Sequence, residues 1–317
     1  MKKPGRFLLE RIQGSKVIFR VSLTEEHPLL SGLIVSMRPR QWAKNVFVFV
    51  ALFFDRKLND PESILRTLAA FVLLCLMSSA VYIMNDLADI ENDRQHPTKK
   101  NRPLPAGKLN PAVAAAAAAL LAVGSLGAGF YISAGLGFIL LLYLLIQIGY
   151  TFWLKRVVLV DVLIVASGFI LRIAAGVAVI EVERFSPWLY VFGGFLALFM
   201  VLGKRRHELV LLGENASDHR PILKEYNLDL VDRLLGLVTT GAVIAYTLYT
   251  FLAEGLPPNH VMMLSIPFVL YAVFRYLYLI HVRHEGGAPE DIFLRDRAMQ
   301  LSMVLYAIVV FIALYIL

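Results

Sequence analysis

The sequence predicts an all-α fold: a polytopic membrane bundle of nine transmembrane helices with a central polar cavity open to the cytoplasmic side. Three observations predict it. Hydrophobic residues fill 58% of the 317 positions and charged residues only 17%, with a mean hydropathy of +0.66, where a soluble chain carries about a quarter charged residues. Apolar runs near the length needed to cross a hydrocarbon core, about 20 residues, fall at 31–54, 67–87, 111–131, 136–154, 158–180, 187–203, 234–254, 260–280 and 300–317. They are too long for barrel strands, and a backbone in lipid must satisfy its polar groups within each segment, so they are helices. Charged residues gather between these runs, after the second, fourth and sixth, which a bundle can bring around one pocket.

Lysine and arginine set the orientation. With the N-terminus inside, 25 of the 31 lie on cytoplasmic segments, against Arg56, Lys57, Arg66 and Arg184 outside and Arg172 and Arg275 within helices. The chain is therefore expected in the inner (plasma) membrane, multi-pass, with its N-terminus and active site cytoplasmic. The net charge of +7 reads as topology and lipid-phosphate attraction. No zinc-finger, helix-turn-helix or aromatic-basic pattern points to nucleic acid. The lone Cys75 excludes a disulfide scaffold. Residues 1–28 are polar and basic with no cleavable signal and read as a cytoplasmic tail; residues 29–317 are expected to form one transmembrane domain.

The first run opens with M-R-P-R-Q-W-A-K-N at 37–45. Arg38, Arg40 and Lys44 beside Trp42 form either a headgroup anchor or, for Arg38 and Lys44, phosphate contacts. The second ends with Ser78, Ser79 and Ala80, small enough for a close neighbour, and delivers Asn85 and Asp86 to the rim. Next comes N-D-L-A-D-I-E-N-D-R-Q-H-P-T-K-K-N-R at 85–102, with four carboxylates and four basic side chains. If the helix continues, Asp86, Asp89 and Asp93 at i, i+3 and i+7 share one face. Like charges one turn apart repel, so something positive belongs among them: Arg94, Lys99, Lys100 or Arg102, or a divalent cation. Oxygen-only ligands suit Mg2+. Acids for a metal beside bases for phosphate oxygens are what a diphosphate site needs, although an ordinary hydrated loop would also mix its charges.

Pro103, Pro105 and Gly107 redirect the chain. The third run, alanine-rich from Ala112 to Ala119, reads as a tightly packed scaffold helix. The fourth ends in Y-T-F-W-L-K-R at 150–156 and the fifth begins V-V-L-V-D at 157–161. Asp161 shares a face with Arg172 three turns on. An arginine inside a membrane helix faces an acid or a polar cavity, and either would serve here. The sixth run emits G-K-R-R-H-E-L at 203–209, where Glu208 sits i+4 to Lys204, before a long connection to about 233 that could cover a polar substrate. Arg275 is expected to snorkel or to pair with another helix.

N-D-L-A-D-I-E-N-D-R-Q-H-P at 85–97 with R-P-L-P-A-G at 102–107 resembles the first aspartate-rich motif of the UbiA superfamily of intramembrane prenyltransferases. The resemblance spans roughly residues 30–317 and implies a nine-helix bundle, Mg2+ on the motif's acids, and a lateral opening for a prenyl chain. Most members carry a second aspartate-rich loop after helix six; here that region is the basic G-K-R-R-H-E-L. With M-R-P-R-Q-W-A-K-N and Y-T-F-W-L-K-R-V-V-L-V-D-V, it is similar to the decaprenyl-phosphate phosphoribosyltransferase branch. That branch implies phosphoribosyl diphosphate as donor, a polyprenyl phosphate as acceptor, and a place in cell-wall arabinan synthesis. Basic side chains in place of a second acidic cluster suit a site where three phosphate-bearing groups meet.

On this reading Asp86, Asp89 and Asp93 hold the metal and Asn85 orients an acid or a phosphate oxygen. Tyr150, Lys155 and Asp161 position the sugar or its phosphates, and Arg38, Lys44, Arg94, Lys99, Arg102, Arg172, Lys204 and Arg205 bind phosphates. The competing readings are a prenyltransferase acting on an aromatic or quinone-precursor acceptor and, in another class, a transporter or lipid-binding protein. Exposed apolar faces leave homo-oligomerisation open.

Overall fold

The computed structural model describes residues 28–182, 186–212, 221–285, 292–293 and 295–317. Among them there is no strand, and eight helices are long and apolar enough to cross a membrane. The N-terminal tail lies outside the described residues, as do residues 213–220 of the long connection after the sixth run.

The first apolar run departs from expectation. Instead of one helix it forms α1 (Pro28–Met37), a 3₁₀ segment (Pro39–Val48) and α2 (Phe49–Phe54). Pro39 has no amide hydrogen and disfavours helical backbone in the residue before it, and Arg38 takes up φ 54, ψ 60. Among the described residues the uninterrupted spanning helices number eight, not the expected nine, and this first run is broken. Ten residues of 3₁₀ is an unusually long run. Its polar side chains find partners inside the bundle: Trp42 Nε1 donates to Ser79 Oγ at 3.0 Å, and Asn45 Nδ2 to Cys75 Sγ at 3.2 Å.

The remaining elements follow in order. Asp60 caps α3 (Pro61–Ala88) by accepting from the amides of Glu62 and Ser63; α4 (Ile90–Gln95) continues it after one bent residue. Asn110 caps α5 (Pro111–Ile132), and α6 (Ala134–Phe152) returns antiparallel to it. Then come α7 (Val160–Val177), α8 (Pro187–Leu212), α9 (Leu228–Leu252), α10 (Ile266–His281) and α11 (Arg297–Phe311).

Helix α7 joins two cores. Its first half, through Val162, packs with α8, α9 and α10 around Phe199, Leu235 and Tyr276. Its second half, through Leu171 and Ala175, packs with α2, α3 and α6 around Val48, Leu74 and Leu140. The second packing is tight enough that a Cβ on Gly176 would lie 2.0 Å from the Val48 carbonyl oxygen. The alanine-rich α5 corrects its expectation: only 17% of its apolar window is buried, the least of the eight spans. Ala114, Ser125 and Gly129 make its buried face, while Leu120 and Val123 point outward. Small side chains here serve one contact face.

Arg275 pairs with another helix. Its Nη2 and Nε donate to Asp296 at 2.8 and 3.2 Å, and Asp296 caps α11 by accepting from Met299 N at 2.8 Å. The guanidinium holds the Asp296 carboxyl below the usual carboxylate range. A depressed folded-state value stabilises above the unfolded value and is lost as pH falls through the folded one. Asp296→Ala should therefore cost about 1–2 kcal/mol near neutrality, read as a lower melting temperature, and the gap to wild type should close in strong acid.

Candidate active site

Helical register carries the acidic motif past the end of α3. Asp89 N donates to Asn85 O at 3.1 Å and Asp93 N to Asp89 O at 2.8 Å, so the i→i−4 spacing survives the bend. Asp86 and Asp93 consequently share a face, and both side chains are buried to 3% exposure. One guanidinium serves both: Arg102 Nη1 lies 3.1 Å from Asp86 Oδ1 and 2.6 Å from Asp93 Oδ2. Arg38 Nη2 approaches the same Asp86 oxygen at 2.5 Å, and Lys99 Nζ lies 3.5 Å from Asp93.

Arg102 reaches this position because the connection behind it is anchored. Leu104 and Leu109 bury themselves with Ile83 and Ala114 in a small apolar core below the motif. Gly107, at φ +69, makes the turn between them. Asp89 turns away from the other two acids. Its carboxylate receives Lys155 Nζ at 3.0 and 3.2 Å, from the 3₁₀ turn Leu154–Arg156.

A second buried cluster flanks that turn. Asp161, in the first turn of α7 and fully buried, lies 3.1 Å from Arg205 Nη2 and accepts a hydrogen bond of 2.6 Å from Tyr226 Oη. Arg205 also donates to Glu208 at 2.6 Å, which replaces the expected Lys204–Glu208 pair. Tyr150 lies within electrostatic reach of Arg205. Burial first, and then the bond to Asp161, push the Tyr226 hydroxyl up to about 12, so it stays a donor at neutral pH.

The family pattern described as the UbiA prenyltransferase family matches residues 45–206, about half of the chain. A decaprenyl-phosphate phosphoribosyltransferase of Mycobacterium tuberculosis is 35% identical over 280 residues, covering 86% of this chain and 91% of that protein. The chain belongs to the UbiA prenyltransferase family. The Corynebacterium glutamicum protein of the same description is 33% identical over 298 residues, covering 91% of this chain and 88% of its own. A UbiA homologue from Archaeoglobus fulgidus, solved bound to DMAPP and Mg2+, superposes with a TM-score of 0.69 at 17% identity. It covers 90% of this chain and all of that one, and it shows the shared fold.

Within this UbiA bundle the expected site residues separate into groups. Arg38, Asp86, Asp93, Lys99 and Arg102 come together directly; Asp89 and Lys155 pair beside them; Asp161 and Arg205 form the second cluster. Lys44 lies half-buried on the 3₁₀ segment and Asn85 beside Asp86. Two expected phosphate ligands are not brought in: Arg94 is exposed and bonds Glu91, and Lys204 is exposed on α8.

Of the two surroundings expected for Arg172, an acid or a polar cavity, the acid is not the partner its hydrogen bonds show. It is 6% exposed, and its guanidinium is taken up by Asn45 Oδ1 at 2.7 Å, Gly168 O at 2.6 Å and Tyr143 Oη at 3.4 Å. The rings of Tyr143 and Phe169 lie 5.3 and 5.7 Å from its Cζ. Neutral acceptors thus satisfy it, and it ties the 3₁₀ segment to α6 and α7. Asn45 and Tyr226 carry no spacing signal that would have singled them out.

Among the described residues, no three acid, histidine or cysteine side chains converge on one metal position. The three motif aspartates do not converge because Arg102 and Lys155 draw them to different sides. Their chemistry still fits a hard cation: the donors are all oxygen, and Asn85 Oδ1, beside Asp86, is buried without a hydrogen-bond partner. Two open spaces lie away from the motif. One, of about 160 Å3, lies between Arg56, Ser186, Tyr249 and Glu254 toward the far end of α3; another, of about 380 Å3, is an apolar groove between Phe53 and α11. At the motif, acids and bases close on one another.

Proposed function

We propose that this protein transfers the 5-phosphoribosyl group from 5-phosphoribosyl 1-diphosphate to a polyprenyl phosphate such as decaprenyl phosphate, releasing pyrophosphate, at the cytoplasmic face of the inner membrane. The observation that carries this reading is the likeness, over 91% of the Mycobacterium tuberculosis protein's length, to a protein described by that reaction. The site's charge supports it. Arg38, Lys99, Arg102 and Lys155 are set against Asp86, Asp89 and Asp93, so the cluster carries one more positive charge than negative before any ligand arrives. A second acidic cluster, which a prenyl diphosphate would call for on the competing reading, is replaced by Lys204, Arg205 and Arg206.

Asp86, Asp89, Asp93 and Asn85 are the groups that would hold Mg2+, which supplies neutralisation of the diphosphate leaving group when bound. Arg38 and Arg102, now seated on carboxylates, offer forked donors to phosphate oxygens. Lys155 stands where it can meet the donor's phosphates beside Asp89. The acceptor phosphate is ionised at neutral pH, so the chain needs no general base; positioning and electrostatics do the catalysis. Attack on the sugar's anomeric carbon opposite the leaving group inverts it. The apolar groove between Phe53 and α11 suits an isoprenoid chain.

Incubating the purified protein with labelled phosphoribosyl diphosphate, decaprenyl phosphate and Mg2+ should move label into an organic-extractable lipid and release pyrophosphate. Chelation should stop transfer and Mg2+ restore it. Label that stays in water, together with transfer from a prenyl diphosphate to an aromatic acceptor, would replace this reading by the competing one.

A further inference from the structure

The turn that carries Lys155 is held in an unfavourable backbone conformation. Leu159, at the start of α7, has φ 66 and ψ −36, a region that a side-chain-bearing residue occupies only at an energetic cost. Its own side chain gives no reason for this, being 40% exposed. The backbone does: Leu159 N donates to Tyr226 Oη at 2.8 Å, and the same hydroxyl donates to Asp161 Oδ1 at 2.6 Å. Tyr226 is 5% exposed, set among Val162, Ile222 and Val231 in the core shared with α8 and α9, so its hydroxyl is a fixed point.

We infer that Tyr226 is a positioning residue: by holding Leu159 at its positive φ it sets the path of residues 155–159 and so places the Lys155 ammonium on Asp89. Tyr226 lies beyond residues 45–206, where the family pattern matches. A residue from the segment before α9 thereby locks a turn of the first half of the bundle. The phenol changes no bond and takes no proton from a substrate. The kinetic consequence rests on the phosphoribosyl-transfer reading; the conformational one does not.

Glycine provides the test, because it adopts positive φ without steric cost. Three variants are compared: Tyr226→Phe, Leu159→Gly and the double variant. Tyr226→Phe should raise KM for phosphoribosyl diphosphate about tenfold with kcat changed by less than about threefold, since a misplaced Lys155 weakens a contact made to the bound donor. Leu159→Gly alone should stay near wild type, and the double variant should recover most of the lost KM. Amide hydrogen exchange over residues 155–161 should rise in Tyr226→Phe and fall back in the double variant, and it reads the same in a preparation that transfers nothing.

An unchanged KM and unchanged exchange in Tyr226→Phe overturn the inference. So does a loss that glycine at 159 fails to rescue, which would mean that the hydroxyl matters only as a partner of Asp161. If the wild type fails to use phosphoribosyl diphosphate but exchange follows the expected pattern, the substrate reading falls and the positioning role stands.

Discussion

Asp86→Asn is expected to lower transfer by about 10²–10³-fold while leaving the protein inserted and folded. Asp86 is the node of the charged network: one carboxylate oxygen receives both Arg38 and Arg102, and the side chain is 3% exposed. Asparagine preserves shape and an acceptor oxygen but removes the charge that those guanidinium groups face and that a divalent ion would need. Breaking a buried ion pair by removing one partner costs about 3–5 kcal/mol. Arg38 and Arg102 are 26% and 31% exposed, so water takes up part of the lost interaction and the stability cost should fall below that range. Activity should therefore fall far more than melting temperature. Initial rates across a Mg2+ titration, measured beside thermal melts of the same preparations, separate the two. Near wild-type transfer at limiting Mg2+ would remove Asp86 from metal binding.

How legible this site was in the sequence depended on whether a residue's role lay in its own helix. The i, i+3, i+7 spacing of Asp86, Asp89 and Asp93 foretold a shared helical face, and Asp86 and Asp93 do share one. That Asp89 would turn to Lys155 could not be read, because their meeting joins positions 66 residues apart. Arg205 read as a phosphate ligand because its neighbours are basic. Tertiary packing instead buries it against Asp161, and nothing in the periodicity of α8 says where the first turn of α7 lies. Glu208 had two partners in helical reach and took Arg205 at i+3 over Lys204 at i+4. Pro39 breaks the first run, and the hydropathy of the flanking residues hid that break. An average over 31–54 cannot tell one helix from three pieces joined at an arginine in the left-handed region.

The second large effect concerns that broken segment. Gly176→Ala should destabilise the bundle by about 3 kcal/mol or more, the upper range for forcing atoms into a packed interior. The added Cβ would lie 2.0 Å from the Val48 carbonyl oxygen and 3.0 Å from its carbonyl carbon. Both atoms belong to backbone, so no side-chain rotation relieves the clash, and either α7 or the junction of the 3₁₀ segment with α2 must move. Movement there does not stay local. The 3₁₀ segment carries Asn45, which accepts from Arg172, and begins just after Arg38, which reaches Asp86. A shift of a few tenths of an ångström loosens a buried guanidinium inside the membrane, where a lost acceptor is expensive. Transfer should fall with stability in this variant, unlike the Asp86 variant. Gly124→Ala is the control of opposite sign: it is also helical, a Cβ there meets nothing within 4 Å, and alanine should stabilise by about 0.5–1 kcal/mol. Melting temperatures moving in opposite directions would locate the effect in the contact between α7 and Val48. A Gly176→Ala protein as stable as wild type would mean that the two segments do not approach this closely.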